Sequence, residues 1–285
     1  MGNEMSSARN MTSFQKKWWI AGLLGVLILA LMVIVFSWSS EPEYQGKRLS
    51  LWAQQYELNQ EPGKWGGVAY KEAQSAIRAI GTNGVPFLLS LLQRRESLFL
   101  ITIGKIAPAR WNIRLSSEMA VDRSRALGAY GFAALGSNAT FAIPSLIDIA
   151  KNHPDMRGRY HAVFALRTLQ DAGEPAMPFF LECLTNKDSN IRNEAVTGLR
   201  YMHHQTDVII PLLIQHLERC KSAPTTSEAI DTIETLSRFG TNAKAAVPVV
   251  LYFLNTKDDN LRECVTNRLE QLDPQMTNVS VGIVR

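Results

Sequence analysis

This chain is poor in the residues from which catalytic and metal sites are usually built. Its 285 residues include three cysteines, Cys183, Cys220 and Cys264, and five histidines, His153, His161, His203, His204 and His216. No two cysteines form a C-x-x-C pair, so the sequence carries neither a disulfide framework nor a paired-thiolate zinc motif. All three thiols fall in segments of helical apolar periodicity, where a free Cys acts as a small buried hydrophobe. His203 and His204 stand at a helix end, where an imidazole can satisfy a free carbonyl. His161 lies one repeat earlier, so helix faces could bring it near them, but no local pair has metal-ligand spacing. There is no G-x-S-x-G, H-E-x-x-H, phosphate-binding loop or dinucleotide fingerprint. No catalytic residue, metal or cofactor is assigned, and the chain reads as a non-enzyme.

A concentrated charge of one sign is also missing. The net charge is +4, and removing the first 38 residues, with Arg9, Lys16, Lys17 and Glu4, leaves +2 on a body whose acids and bases are interleaved. Nucleic-acid binding needs a basic surface against phosphates, so this class is excluded.

One long apolar run is present. Residues 18–38, from Trp18 to Trp38, contain no charge. As a helix they span about 30 Å, the thickness of a bilayer's hydrocarbon core. Trp18, Trp19 and Trp38 bracket the run as interfacial aromatics do. Arg9, Lys16 and Lys17 precede it, and Glu41 and Glu43 follow. The positive-inside rule then puts residues 1–17 in the cytoplasm and the rest on the extracytoplasmic side, periplasmic or at the cell surface. A cleaved signal peptide is the competing reading, with Ser37-Trp38-Ser39 as the cleavage site. The run exceeds the usual 7–15 residues of such a segment, which favours an anchor. Residues 41–48 read as a polar tether, within a tether and leading helix over 39–67.

Beyond that point five prolines organise the chain. Pro86, Pro144, Pro178, Pro211 and Pro248 each open a run such as Val-Pro-Phe-Leu-Leu or Ile-Pro-Ser-Leu-Ile. The last three steps are 34, 33 and 37 residues, and the first is 58, one repeat plus an insert. A fixed period in this range is the mark of a solenoid. Ahead of each proline is an amphipathic helix with small residues on one row: Ala73 and Ala76, Gly128 and Gly131, Ala162 and Ala165, Ala195 and Gly198, Thr232 and Thr235. Gly81, Gly136 and Gly240 end three of these helices, since glycine takes a left-handed C′ conformation without a Cβ clash. The proline then falls in the first turn of the second helix, where its missing N–H costs little.

Asp155 and Arg159, Asp188 and Arg192, and Asp258 and Arg262 keep one spacing at the start of the first helix. An aspartate there caps the helix, and the arginine one turn on can pair with an Asp of the same or the next repeat. Recurrence makes this a structural ladder rather than a ligand site. Asp…Arg, then Ala-x-x-Ala-Leu, then Gly, then Pro-x-Leu resembles HEAT repeats, in particular the short kind of phycobilisome-lyase-type proteins. Tyr44-Gln-Gly-Lys-Arg-Leu-Ser-Leu-Trp52 and Ala76-Ile-Arg-Ala-Ile-Gly-Thr-Asn83 also resemble exported HEAT-repeat proteins of planctomycete- and verrucomicrobium-like bacteria.

The resemblance implies an all-α fold, a right-handed α-α superhelix of about five two-helix repeats over 68–272. An insert over 94–122 interrupts it, and a tail, 273–285, follows. It implies a non-enzymatic scaffold for a protein or peptide partner. A lyase-like or accessory enzyme subunit and a purely structural envelope protein are the alternatives. If the second helices line the inner curve, Phe179, Leu212, Val249 and Tyr252 form an apolar binding strip there; the other reading buries them between layers.

Overall fold

An apolar row at three- and four-residue spacing marks the helices of this chain, with an aspartate cap in front of three of them and glycine behind three. In a computed structural model they give a stack of helix pairs; the structure describes residues 41–60, 63–64, 66–97, 102, 113–222 and 226–276. The expected cytoplasmic tail 1–17, the membrane helix 18–38 and residues 277–285 lie outside the described residues.

A short antiparallel hairpin (β1, Glu43–Tyr44; β2, Lys47–Arg48) leads into α1 (Leu49–Leu58). Five helix pairs follow among the described residues. They are α2 (Val68–Ile80) with α3 (Val85–Leu92), α4 (Ile113–Leu135) with α5 (Ile143–Asn152), and α6 (Met156–Arg167) with α7 (Met177–Cys183). Then come α8 (Ser189–Leu199) with α9 (Thr206–Cys220), and α10 (Thr226–Arg238) with α11 (Val247–Tyr252). A further first helix, α12 (Asp259–Leu272), packs on α10. The all-α solenoid expected from the repeats is therefore present.

First helices pack each on the next, from α2 through α12. Each second helix packs on the first helix of the following repeat: α3 on α4, α5 on α6, α7 on α8, α9 on α10 and α11 on α12. One continuous core results, with Leu88, Phe132, Leu146, Leu166, Phe180, Leu199, Leu213, Leu236 and Leu269 all fully buried. The small-residue row explains the close approach. A Cβ on Gly131 would stand 2.3 Å from Leu88 Cδ2, and one on Gly198 would stand 2.8 Å from the Phe180 ring. A side chain would therefore force its buried neighbour to shift where α4 meets α3 and where α8 meets α7.

Gly81, Gly136 and Gly240 take the positive φ expected of a glycine stop, 62°, 57° and 58°, although Gly81, with ψ −140°, lies outside the left-handed helical well. In the third repeat Gln170 occupies the same place at φ 53°. A side chain there costs roughly 1 kcal/mol of strain. Gln170→Gly is expected to stabilise the chain by about 0.5 kcal/mol after the added freedom of the unfolded state is subtracted. Chemical denaturation compared with wild type checks it.

Pro86, Pro144, Pro178 and Pro248 sit in the first turn of their helices, as expected. Pro211 does not: α9 begins at Thr206, so this proline lies inside the helix. The fourth repeat lacks the glycine stop, and Gln205, at φ 54°, restarts the helix five residues ahead of Ile210. Two other expectations are corrected. The insert does not reach residue 122, because helix α4 already runs from Ile113; no Gly or Pro interrupts the chain between Asn112 and Gly128. Residues 41–48 are not a free tether. Gln45 and Gly46, at φ 52° and 72°, make a tight hairpin turn. The Trp52 indole N–H donates to the Tyr44 carbonyl at 3.1 Å, and the Lys47 ammonium sits 3.9 Å over the Trp52 ring.

Candidate functional site

The polar groups that recur from repeat to repeat collect at the starts of the first helices. Asp155, Asp188 and Asp258 each cap their helix, accepting from the amides of Arg157, Asn190 and Leu261 at 3.0, 2.8 and 3.1 Å. The residue two places earlier completes the turn in all three. His153 Nδ1, Asn186 Oδ1 and Thr256 Oγ1 accept the N–H of that aspartate at 3.1, 3.0 and 3.3 Å. His153 lies against Gly158, where a Cβ would come within 2.2 Å of its ring.

The arginines follow the expected Asp pairing only in part: Arg262 pairs with an Asp of its own repeat, whereas Arg192 pairs with a Glu. Arg192 and Arg262 reach back to the turn before them, donating to Asn186 O at 2.8 Å and to Thr256 O at 2.9 Å. Arg192 also forks Glu228, at the start of α10, with contacts of 2.5 and 2.9 Å. Arg262 pairs with Asp259. Arg125, missed in the sequence, belongs to the same set. It donates to Arg94 O at 2.9 Å and pairs with Asp155 at 2.5 Å, with its side chain 2% exposed. Its signal was available: Arg125, Arg159, Arg192 and Arg262 all stand three residues before the first apolar or small residue of the packing row.

A second set of ion pairs links neighbouring helices. Arg123 meets Glu57, Arg167 meets Glu194 and Arg200 meets Asp231 and Glu234, while Arg268 meets Glu234. The Tyr160 hydroxyl donates to Glu194 at 3.2 Å. Burial pushes the Glu194 carboxyl up, against the pull of Arg167.

Two clefts open on the ladder. One, of about 290 Å³, is lined by Asp122, Met156, Arg157, Tyr160, His161, Asp188 and Asn190. His161 Nε2 lies 3.1 Å from Asp122, and the His204 amide donates to Glu174. The other, of about 340 Å³, includes Lys151, Arg159, Phe179, Glu182, Thr185 and Asn186 in its lining.

Acid should weaken this junction. Burial lowers the His161 imidazole from its usual value, although Asp122 pulls the other way. Burial alone would raise Asp155, but the Arg125 guanidinium and the Arg157 amide outweigh it and hold the carboxyl low. Both groups bind protons more readily in the unfolded chain, so the stability they add is present above the unfolded pKa and lost as pH falls. The loss begins below about pH 6.5 for His161 and continues below about pH 4 for Asp155. NMR titration should give His161 a midpoint below about 6.5.

One set of potential metal ligands does converge. His216 Nε2, Cys220 Sγ and the Glu228 carboxylate lie within 4.8 Å of one another, all buried. His216 and Cys220 stand four apart on α9, a spacing the sequence reading passed over. The donors do not fit a cation well. Arg192 already holds both Glu228 oxygens, and the Cys220 thiol, pushed up to about 11 by burial, would have to ionise. The cluster is better described as a buried ion-pair core. Cys183 is likewise buried, its thiol pushed up to about 12, and Cys264 is half-buried.

The expected apolar strip is not an open surface. Phe179 and Val249 are buried at 7% and 3% exposure. Leu212 is half-buried, and Tyr252 alone stands out, 52% exposed with the Lys221 ammonium 4.8 Å from its ring.

Residues 143–234, from α5 into α10, match the family of HEAT repeats. On a span of stacked helix pairs, this match supports a HEAT-repeat helical protein. No curated protein matches the chain.

Proposed function

We propose that this chain is a non-enzymatic HEAT-repeat scaffold for a protein or peptide partner. Residues 18–38 hold it at a membrane, and the repeats stand on the extracytoplasmic side. The observation that carries the reading is the stack itself. Its repeated polar groups go into caps and inter-repeat ion pairs, and two of its thiols are buried and the third half-buried, which leaves repeated side-chain surface as its chief resource. HEAT repeats commonly mediate protein interaction, and stacked repeats present long surfaces for it.

The anchor assignment rests on the charge-free run and its flanking charges. Two other helical stretches, Val68–Leu92 and Ser117–Asn152, have the length and composition to cross a membrane. Both are repeat helix pairs that turn at Gly81 and Gly136 and contribute to the core, so they are not assigned to the bilayer. Fusing a periplasm-dependent reporter such as alkaline phosphatase after residue 60 tests the orientation. Activity there is expected, and deletion of 18–38 should abolish it. Activity in the deleted form, or none in the intact form, would contradict the anchor and its direction. The scaffold reading is tested by partner capture with and without the repeats.

A further inference from the structure

Three of the four ladder arginines are fully engaged, and one is not. Arg125 holds a carbonyl and Asp155, Arg192 holds two carbonyls and Glu228, and Arg262 holds a carbonyl and Asp259. Arg159 has the same place in its repeat, yet its guanidinium makes no hydrogen bond or ion pair among the described residues. Its Nε is buried without a partner. A buried charged donor left unpaired is costly, and its neighbours in the array show what normally completes it: a carboxylate.

Arg159 lines the 340 Å³ cleft, together with Lys151, Phe179, Glu182, Thr185 and Asn186. Lys151 pairs with Glu182 at 2.6 Å on the exposed rim, so Arg159 is the uncompensated charge of the lining. Asn186 uses its Oδ1 to accept from the Asp188 amide, which leaves its side-chain N–H groups to donate. Lys151 also stands 5.5 Å from the centre of the Phe179 ring, an apolar floor beside the charge. The cleft therefore offers a planar fork and an amide donor, beside the largely buried Phe179 ring.

We infer that this cleft is a docking site for a carboxylate side chain of the partner, an acidic peptide segment whose Asp or Glu completes the empty rung at Arg159. The inference rests on the scaffold reading and adds the chemistry of the partner to it. A carboxylate is chosen because two neighbouring arginines of the same register, Arg125 and Arg192, each hold one across a repeat junction. The fork geometry of guanidinium and carboxylate gives direction as well as charge.

The test is a titration of fluorescein-labelled hexaglutamate into the full-length chain in detergent at low salt, with hexaglutamine as the neutral control. Hexaglutamate is expected to bind, hexaglutamine not to, and affinity to fall as salt rises. Arg159→Gln should weaken binding at least tenfold while leaving the helical signal and melting unchanged, since no internal partner is lost. Arg157→Gln, on the same helix with the same change of charge, should weaken it less than twofold. Equal loss in the two variants would show a diffuse charge effect and overturn the site, as would unchanged binding by Arg159→Gln or no binding by wild type. Any of these failures leaves partner capture by the repeats to stand or fall separately.

Discussion

Glu228→Gln is expected to destabilise the array by about 3 kcal/mol, the usual cost of breaking a buried ion pair. Glu228 is 3% exposed and sits between Arg192 and His216, with Arg192 on both oxygens and His216 Nε2 at 3.1 Å. The amide keeps the shape and one acceptor oxygen but removes the charge and the second acceptor, so the guanidinium keeps the Asn186 and Lys187 carbonyls and at most one neutral bond to residue 228. Asp259→Asn provides the contrast. Its pair with Arg262 is on the surface, and the change should stay within about 0.5 kcal/mol. The double change Arg192→Met and Glu228→Leu should recover most of the loss, because hydrophobic replacement of a whole buried pair is often neutral. Urea denaturation followed by circular dichroism gives the size of each effect, and hydrogen exchange in α8 to α10 locates it. Zinc should add no stability to wild type; a zinc-dependent rise in melting would make His216, Cys220 and Glu228 a metal site instead.

Gly198→Ala should cost about 2 kcal/mol, although alanine favours an isolated helix over glycine. The new methyl would lie 2.8 to 3.0 Å from three atoms of the Phe180 ring, which is fully buried between α7 and α8. The ring cannot swing away without displacing the core around it, so strain outweighs propensity. Phe180→Leu in the same chain should return part of the loss, since it removes the atoms the methyl strikes. A Gly198→Ala cost that is the same with and without the Phe180→Leu change would show that the two positions do not couple.

The contrast between these two predictions follows what the sequence made legible. Close helix approach was readable from Ala162, Ala195 and Gly198 because local spacing repeats along the chain. The Asp155, Asp188 and Asp258 caps were readable for the same reason, as were the Gly81, Gly136 and Gly240 stops. The ion-pair core was not. Arg192 meets Glu228 across a repeat junction, and the acid there is a glutamate inside a helix, where Asp155 in the equivalent junction is a cap. No fixed residue type marks that position.

Other misses have equally physical causes. Pro211 keeps its place in the repeated phrase, but without a glycine stop the helix begins earlier and encloses it. Residues 113–122 look like insert because their apolar row is weak, yet nothing breaks the helix there. Counting from the proline left open whether Phe179 and Val249 line a surface or lie between layers; both are buried, which period alone does not reveal. Gln170 takes the glycine position, and Gln205 also has a positive φ, so residue type alone does not mark every stop.

The central claim is that the repeats exist to hold a partner. The most direct measurement is crosslinking capture by the full-length chain in its own cells, with fragment 1–60 as the control. The account predicts a specific partner with an acidic segment, crosslinked to the full chain and absent from the control. Recovery of the same proteins by both, or of none by a chain that is folded and at the membrane, would contradict it.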